Sequence, residues 1–306
     1  MQENRLIWLN GEILPLADAK IHVLSPGFQF GANVFEGIRG YWNEREEQLY
    51  IFKLEEHYKR LKNSIKLFRM EDRYSVEELT EALLSIVKAN HYSRDIAIRQ
   101  TVFLDGVGGT WSSFGPVGMF VAPIAKDRTE NVIGPGLSCS VSSWERINDR
   151  SMSPRSKVGA NYINSRMAQI EAKNNGYDTT ILLNSEGKVA EGPGSCLFIV
   201  RDGELITPPK YASILESITR ETILEIARKE LGLKVTERNI DRTELYICDE
   251  AFLCGSAMEI TPITSIDRIL INEGVSGKIT YDLKALYFDI VSGDRPEYKK
   301  YLTPVY

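Results

Sequence analysis

Lys157 stands in Arg155-Ser156-Lys157-Val158-Gly159-Ala160-Asn161-Tyr162, and Glu191 follows downstream in Val189-Ala190-Glu191-Gly192-Pro193-Gly194. A primary amine, a phenol and a carboxylate are the three groups needed to hold and tune pyridoxal phosphate. The amine forms a Schiff base with the aldehyde, the phenol polarises the ring oxygen, and the carboxylate keeps the pyridine nitrogen protonated. Each residue alone also has an ordinary explanation, Lys157 as a solubilising charge beside a helix and Glu191 as a turn acid. Context favours chemistry: Gly159 permits close backbone approach, and Asn161-Tyr162 opens an amphipathic helix, which puts the lysine at the end of a rigid element.

A phosphate group needs backbone N–H donors at helix starts and one guanidinium for a forked grip. Ser217-Ile218-Thr219 opens a helix, and Gly255-Ser256-Ala257 follows a strand, so both segments offer amides beside a hydroxyl. Arg60, in His57-Tyr58-Lys59-Arg60-Leu61, supplies the charge. Ser217 and Thr219 read equally well as helix caps, and Arg60 as a solvated helix residue.

The chain that must position these groups has 306 residues, enough for two domains with separate cores. Its formal charge of −5, with both signs interspersed, provides no basic field for nucleic acid and no polybasic segment for a membrane. Small molecules are the expected partners. No apolar run of about 18 residues occurs, and Met1-Gln2-Glu3-Asn4-Arg5-Leu6-Ile7-Trp8 has no apolar signal core, so a cytoplasmic location is expected. Cys139, Cys196, Cys248 and Cys254 form no Cys-x-x-Cys pair, and His22, His57 and His91 lie far apart, so no metal site and no disulfide framework is expected.

Local signals lay out the elements. Leu6-Ile7-Trp8-Leu9 before Asn10-Gly11 predicts a hairpin. Leu54, Tyr58, Leu61, Ile65 and Phe68 form one helical stripe, and Ser75-Val76-Glu77-Glu78 is a capping box opening a second helix. Both must cover a sheet that includes strands 96–104 and 117–124, joined through the flexible Asp105–Gly109. Residues 1–124 are read as a small N-terminal α/β domain, 125–136 as a linker and 137–306 as a large cofactor-binding domain. In the latter, strands are expected at 137–143, 179–183, 196–201, 205–207, 234–238 and 251–254, with helices at 162–174 and 218–231. The tail from Gly293 is expected to be loosely ordered.

Taken together, these features resemble the fold-type IV pyridoxal-phosphate enzymes, and among them the branched-chain amino-acid aminotransferases. The resemblance runs over nearly the whole chain. It covers Trp8–Gly11, Gly31-Ala32-Asn33-Val34-Phe35-Glu36-Gly37-Ile38-Arg39, His57–Leu61, Arg99, Lys157–Tyr162, Glu191–Gly194, Ile218-Thr219-Arg220 and Cys254–Pro262. It implies an α/β (α+β) protein of two mixed domains with the active site at their interface. It also implies that Lys157 is the Schiff-base lysine and the acid/base of catalysis. Tyr162 would bond the ring oxygen and Glu191 the ring nitrogen, while Arg60, Ile218, Thr219, Ser256 and Ala257 would serve the phosphate or its surroundings. Phe30, Phe35, Gly37, Arg39, Arg99 and Ala257 would face the substrate, with Arg99 receiving the distal carboxylate of glutamate. Phe30 and Phe35 also read as core aromatics, and Arg39 and Arg99 as structural ion-pair members.

The implied reaction moves an amino group between leucine, isoleucine or valine and 2-oxoglutarate by a ping-pong cycle, in a homodimer or higher homo-oligomer whose loops complete each other's sites. This chain departs from the pattern in Phe30 and in Ala97-Ile98-Arg99, where a phenol is usual, in Ser195-Cys196 for Glu-Asn, and in Glu216-Ser217 for Pro-Gly. Ala97 and Phe30 favour the alternative of an (R)-amine or D-amino-acid transaminase, which Phe35, Gly37, Arg39 and Arg99 oppose. An aminodeoxychorismate-type lyase and an inert phosphate-binding protein stand further off.

Overall fold

The computed structural model describes residues 5–129 and 136–306, and the chain divides into two compact units. The first comprises Met1–Asp127, Ser156–Ala160 and Ile290–Tyr306, and the second Arg128–Arg155 and Asn161–Asp289. Chain order alone therefore does not assign a residue to its unit: the Lys157 segment and the C-terminus both group with the first. Of the expected linker, 130–135 lie outside the described residues.

In the first unit, β1 (Leu6–Leu9) and β2 (Glu12–Pro15) form the hairpin, with Asn10 and Gly11 both at positive φ as a two-residue turn of that type requires. A short helix α1 (Pro26–Gln29), capped by Ser25, leads into β3 (Asn33–Asn43), which turns back as β4 (Gln48–Phe52). Helices α2 (Leu54–Leu67) and α3 (Val76–Ala89) follow, and in α3 the Ser75–Glu78 capping box is closed in both directions. Strands β5 (Ile96–Leu104) and β6 (Val117–Ala125) complete the order β4-β3-β5-β6-β1-β2, with the C-terminal strand Leu302–Pro304 added beside β4.

The pleat of β3 sorts its side chains. Val34 and Ile38 join Ile98 and Val102 of β5 in a core with Tyr58, Leu61 and Ile65 of α2 and Leu79, Leu83 and Ile86 of α3. Each fully buried leucine in that core contributes about 1.5–3 kcal/mol of transfer free energy. Phe35, Gly37 and Arg39 alternate onto the opposite face.

The second unit is built on a mixed sheet of β7 (Leu137–Glu145), β8 (Thr179–Leu183), β9 (Cys196–Arg201), β10 (Glu204–Thr207), β11 (Val235–Glu237), β12 (Glu250–Gly255) and β13 (Glu259–Ile266), in the order β11-β10-β9-β12-β13-β7-β8. A two-residue β14 (Ile269–Leu270) pairs with β13. Helix α4 (Tyr162–Asn174) packs on β7 and β8, α5 (Ile218–Lys229) packs on β12 and β11, and α6 (Lys278–Val291) begins with the Ile279 and Thr280 N–H groups donating to Glu250. Gly232, at φ +61°, adopts the left-handed conformation that stops the chain after α5.

Two expectations, for the tail and for α4, need revision, and the sequence predicts no strand at β3. The tail from Gly293 is ordered, because Pro296–Tyr301 forms a 3-10 helix, Leu302–Pro304 pairs with β4, and Val305 is buried in the first core. β3, the longest strand, lacked a local signal because buried residues on both faces erase the alternation that marks a half-exposed strand. Helix α4 buries Ser165, Ala168 and Ala172 and exposes Ile163, Met167 and Ile170, so small residues rather than large apolar ones let it approach the sheet. Among the described residues no helix is long and apolar enough to cross a membrane, and no group of three or more His, Cys, Asp or Glu could hold a metal ion.

Candidate active site

Within the first unit, Lys157 is held by its own backbone. Its N–H donates to Oγ of the buried Ser64 at 3.1 Å, and its carbonyl accepts from the N–H of Phe35 at 2.9 Å. Val158 bridges to Val34 and is fully buried, so the segment is fastened to α2 through the lysine N–H and to β3 through the lysine carbonyl and the residue after it. A side chain at Gly159 would come within 2.6 Å of Asn33 Oδ1, which is why the chain carries glycine there. Lys157 Nζ lies 5.0 Å from the centroid of the Phe35 ring, and the Arg99 guanidinium lies 3.3 Å from the same centroid. Two cations thus share one aromatic ring, whose electron-rich face attracts each.

Around that ring, strand register places Arg99 opposite Gly37, Thr101 opposite Phe35 and Ala97 opposite Arg39. Arg99 Nε donates to Thr101 Oγ1 at 3.3 Å, while its side chain remains exposed. No heavy atom lies within 4 Å of where a Cβ on Gly37 would be, so the glycine leaves open space between Phe35 and Arg39. Arg39 is buried, donates to the Asp127 carbonyl at 3.4 Å and lies 5.2 Å from the Tyr41 ring centroid. Four of the expected substrate residues therefore share one face. Phe30 sits apart from them at the C-cap of α1, about half exposed.

On the other face of β3, Glu36 grips Arg60. Arg60 Nε donates to Glu36 Oε1 at 2.8 Å and Nη2 to Oε2 at 2.6 Å, and His57 Nδ1 lies 2.7 Å from Oε2. Burial alone would raise the Glu36 carboxyl, but the Arg60 charge and the hydrogen bonds from Arg60 and His57 outweigh it and hold the group at about 2. Burial lowers the His57 imidazole more than Glu36 raises it, so His57 is neutral and its Nδ1–H is the donor. Neither Glu36 nor His57 figured as a site residue in the sequence reading, although Glu36 lies inside the Gly31–Arg39 motif and the period of two would have put it on the Arg60 side.

Within the second unit the candidate residues gather around Glu191. Its carboxylate is buried: Oε1 meets Arg146 Nη2 at 2.7 Å, and Oε2 accepts from the Leu215 N–H at 3.2 Å and the Cys196 thiol at 3.8 Å. The turn after it is closed by the Gly192 N–H donating to the Ser195 carbonyl at 2.8 Å. A Cβ on Gly192 would meet Ser195 Oγ at 2.6 Å. Tyr162, the first residue of α4, lies against that turn, its Cε1 being 3.9 Å from a Cβ built on Gly194. The turn from β12 to β13, which carries Ser256 and Ala257, abuts it too, since a Cβ on Gly255 would stand 3.6 Å from the Gly194 carbonyl oxygen.

Leu215 leads directly to the start of α5. There Ser217 Oγ caps the Arg220 N–H at 3.3 Å, and Ile218 and Thr219 are buried in the first turn. Arg220 is fully buried and bonds the Pro208 carbonyl at 2.9 Å and Glu237 at 2.7 Å, which pins the helix start. Arg146, like Glu36, escaped the sequence reading. No local pattern couples it to a glutamate so far downstream. Chemically, the first unit offers an anchored amine and an arginine fork, and the second a phenol, a buried carboxylate and a capped helix start.

Comparison with known proteins agrees with that chemistry. Residues 33–266 match the family described as Amino-transferase class IV. The chain is 42% identical to a probable branched-chain-amino-acid aminotransferase of Aquifex aeolicus, covering 98% of this chain and 96% of that protein. It superposes with a TM-score of 0.93 on the crystal structure of the branched-chain amino acid aminotransferase of Thermobaculum terrenum in its PLP-form, at 45% identity and with all of both chains covered. It also superposes with a TM-score of 0.92, at 38% identity and again full coverage, on a T.th. branched-chain amino acid aminotransferase complexed with N-(5'-phosphopyridoxyl)-L-glutamate. The α/β, fold-type IV expectation therefore holds. With the match covering most of its length, the chain belongs to the class IV aminotransferases and is most like their branched-chain members.

Proposed function

We propose that this enzyme is a pyridoxal-phosphate-dependent transaminase that moves the amino group of leucine, isoleucine or valine to 2-oxoglutarate. The observation that carries the reading is Glu191, a buried carboxylate ion-paired with Arg146 and lying in the turn against which Tyr162 packs. Burying such a charge is costly, and a protonated ring nitrogen is the partner that gives it a task.

When bound, the cofactor supplies an electron sink for the pair left on the substrate α-carbon. Lys157 is the residue that bonds its aldehyde. The Lys157 amine would be the group that takes up and gives back the α-carbon proton, and the fastening of its backbone to Ser64 and Phe35 would hold it in place for that transfer. Tyr162 hydrogen-bonds the ring oxygen. Arg60, held by Glu36, answers the phosphate together with the amides and hydroxyls of Ile218, Thr219, Ser256 and Ala257.

Phe35 and the open space at Gly37 accept an apolar side chain, while Arg39, Arg99, Phe30 and Ala257 complete the substrate surroundings. Donor and acceptor use this site in turn, which is the ping-pong pattern. Arg99, exposed beside Phe35, is suited to the distal carboxylate of glutamate, and a relative has been seen with a phosphopyridoxyl glutamate. Homodimerisation and a cytoplasmic location belong to the same reading. The exposed Phe28 of α1, its C-cap Phe30, and Val107, Trp111 and Phe114 between β5 and β6 are the apolar surface a second copy would cover.

A second reading, an (R)-amine or D-amino-acid transaminase, rests on Ala97, which stands opposite Arg39 where a phenol is usual. Half-reactions with L-leucine, L-isoleucine, L-valine, D-alanine and (R)-1-phenylethylamine separate the two, and a preference for either of the last two overturns the first. The visible absorbance of the purified protein should vanish in Lys157→Ala. Its persistence there would remove Lys157 from the role given to it.

A further inference from the structure

We propose that Arg146 is a positioning residue for this reaction, whose guanidinium locks Glu191 and the first turn of α4, beginning at Tyr162, into one frame. The inference rests on the reading of Glu191 and Tyr162 as the two contacts to the cofactor ring.

Backbone bonding brings the partners together. Arg146 follows β7 directly, and its N–H donates to the Leu183 carbonyl at 2.8 Å. On the neighbouring residue of β8, the Leu182 N–H donates to the Glu191 carbonyl at 2.9 Å, and the Leu182 carbonyl accepts from Ala190 at 2.9 Å. Arg146 and Glu191 therefore both hang from the end of β8, and their side chains meet at 2.7 Å. Both side chains are buried, at 7% and 4% exposure.

The guanidinium also reaches α4. Arg146 Nη1 donates to Ser165 Oγ at 3.4 Å and to Asn164 Oδ1 at 3.5 Å, and Asn164 Nδ2 returns a bond to the Glu145 carbonyl at 2.9 Å. These ties join positions 145–146 to the helical turn that starts with Tyr162. One planar fork thus addresses the carboxylate through Nη2 and the helix through Nη1, which a lysine ammonium on a flexible stem would not reproduce.

Two consequences follow for the ring contacts. A buried carboxylate without a counter-charge takes up a proton, and a neutral carboxyl no longer stabilises a cationic ring nitrogen. Arg146 supplies that counter-charge at 2.7 Å and aims the carboxylate. It also fixes the separation between the Glu191 carboxylate and the Tyr162 phenol, because both are referenced to the same guanidinium.

The experiment is a double-mutant cycle on the holoenzyme, read by the position of its visible absorbance band and by single-turnover conversion with L-leucine. Arg146→Met should shift the band and slow the half-reaction by roughly tenfold or more, with a smaller effect on the donor concentration at half-saturation. Arg146→Lys should recover part of the rate, and it serves as the readable variant if circular dichroism shows that Arg146→Met has not folded. In the Glu191→Gln background Arg146→Met should slow the reaction far less than it does in the parent, because most of its effect runs through that carboxylate. Losses that add in the double variant, or an Arg146→Met enzyme with the parental band and rate, overturn the proposal. The Lys157→Ala spectrum separately checks the underlying site, and a parental protein with no Lys157-dependent band overturns both.

Discussion

Two buried carboxylate–arginine pairs, one in each unit, use the same chemistry in opposite senses. In the first unit Glu36 is fully buried and takes Arg60 through two nitrogens, with His57 as a third donor. In the second, Glu191 takes Arg146 through one nitrogen and adds a main-chain N–H and a thiol. The first arrangement saturates the acid and so places the arginine, which is the member suited to a phosphate. In the reading proposed above, the second uses the arginine to aim the acid, which is the member suited to a ring nitrogen. The type of ion pair does not reveal which partner meets the ligand. Under the function proposed above, that partner is the arginine in the first pair and the carboxylate in the second.

Mutation tests this contrast directly. The largest effect is expected from Glu36→Ala, which leaves the Arg60 fork without its counter-ion and should destabilise the protein by about 3–5 kcal/mol in urea unfolding. A loss below about 1 kcal/mol would mean that water replaces the carboxylate and that Glu36 does not hold Arg60. Glu191→Gln comes next. It should leave the urea midpoint closer to the parent while slowing the donor half-reaction by roughly a hundredfold, about 2.7 kcal/mol of barrier. Equal losses of stability in both variants would erase the contrast between a placing and a placed carboxylate.

Acid titration bears on the same pair. The Glu36 carboxyl is lowered to about 2 by Arg60 and His57 against the pull of burial, so its contribution is fully present above the ordinary carboxylate value of 4.5 and is lost as pH falls from there towards 2. His57, lowered chiefly by burial, must also gain a proton on unfolding in acid and acts in the same direction. Urea midpoints measured from pH 6 to pH 3 should therefore fall for the parent protein and fall less steeply for Glu36→Gln. The smallest effect is expected from Cys196→Ala, which removes only a weak thiol donor 3.8 Å from Glu191. It should change the half-reaction rate by less than about threefold, since a neutral hydrogen bond contributes about 0.5–1.5 kcal/mol and a thiol less. A tenfold loss would show that the thiol, standing where an asparagine is usual, is a principal support of the carboxylate.

Much of this molecule could be read from local chemistry. Asn10-Gly11 specified a hairpin because both residues tolerate positive φ, Ser75 and Glu78 specified a helix start by reciprocal capping, and the stripe from Leu54 to Ile65 specified which side of α2 is buried. Lys157, Tyr162 and Glu191 stood out in their motifs because together an amine, a phenol and a carboxylate suit one cofactor. β3 was not legible, since burial on both faces removes the alternation, and neither was the order of the C-terminal tail, which depends on β4 being present to pair with it.

The amino-acid order by itself determined which functional groups are available and where helices start and stop, because caps, turns and hydrophobic periods act over a few residues. Tertiary structure alone decided that Glu36 grips Arg60, that Arg146 stands beside Glu191, and that Phe35 lies under both Lys157 and Arg99. Those pairings join strands and helices far apart in the chain, and no local energetic preference encodes a partner that only the packed sheet brings within hydrogen-bonding distance.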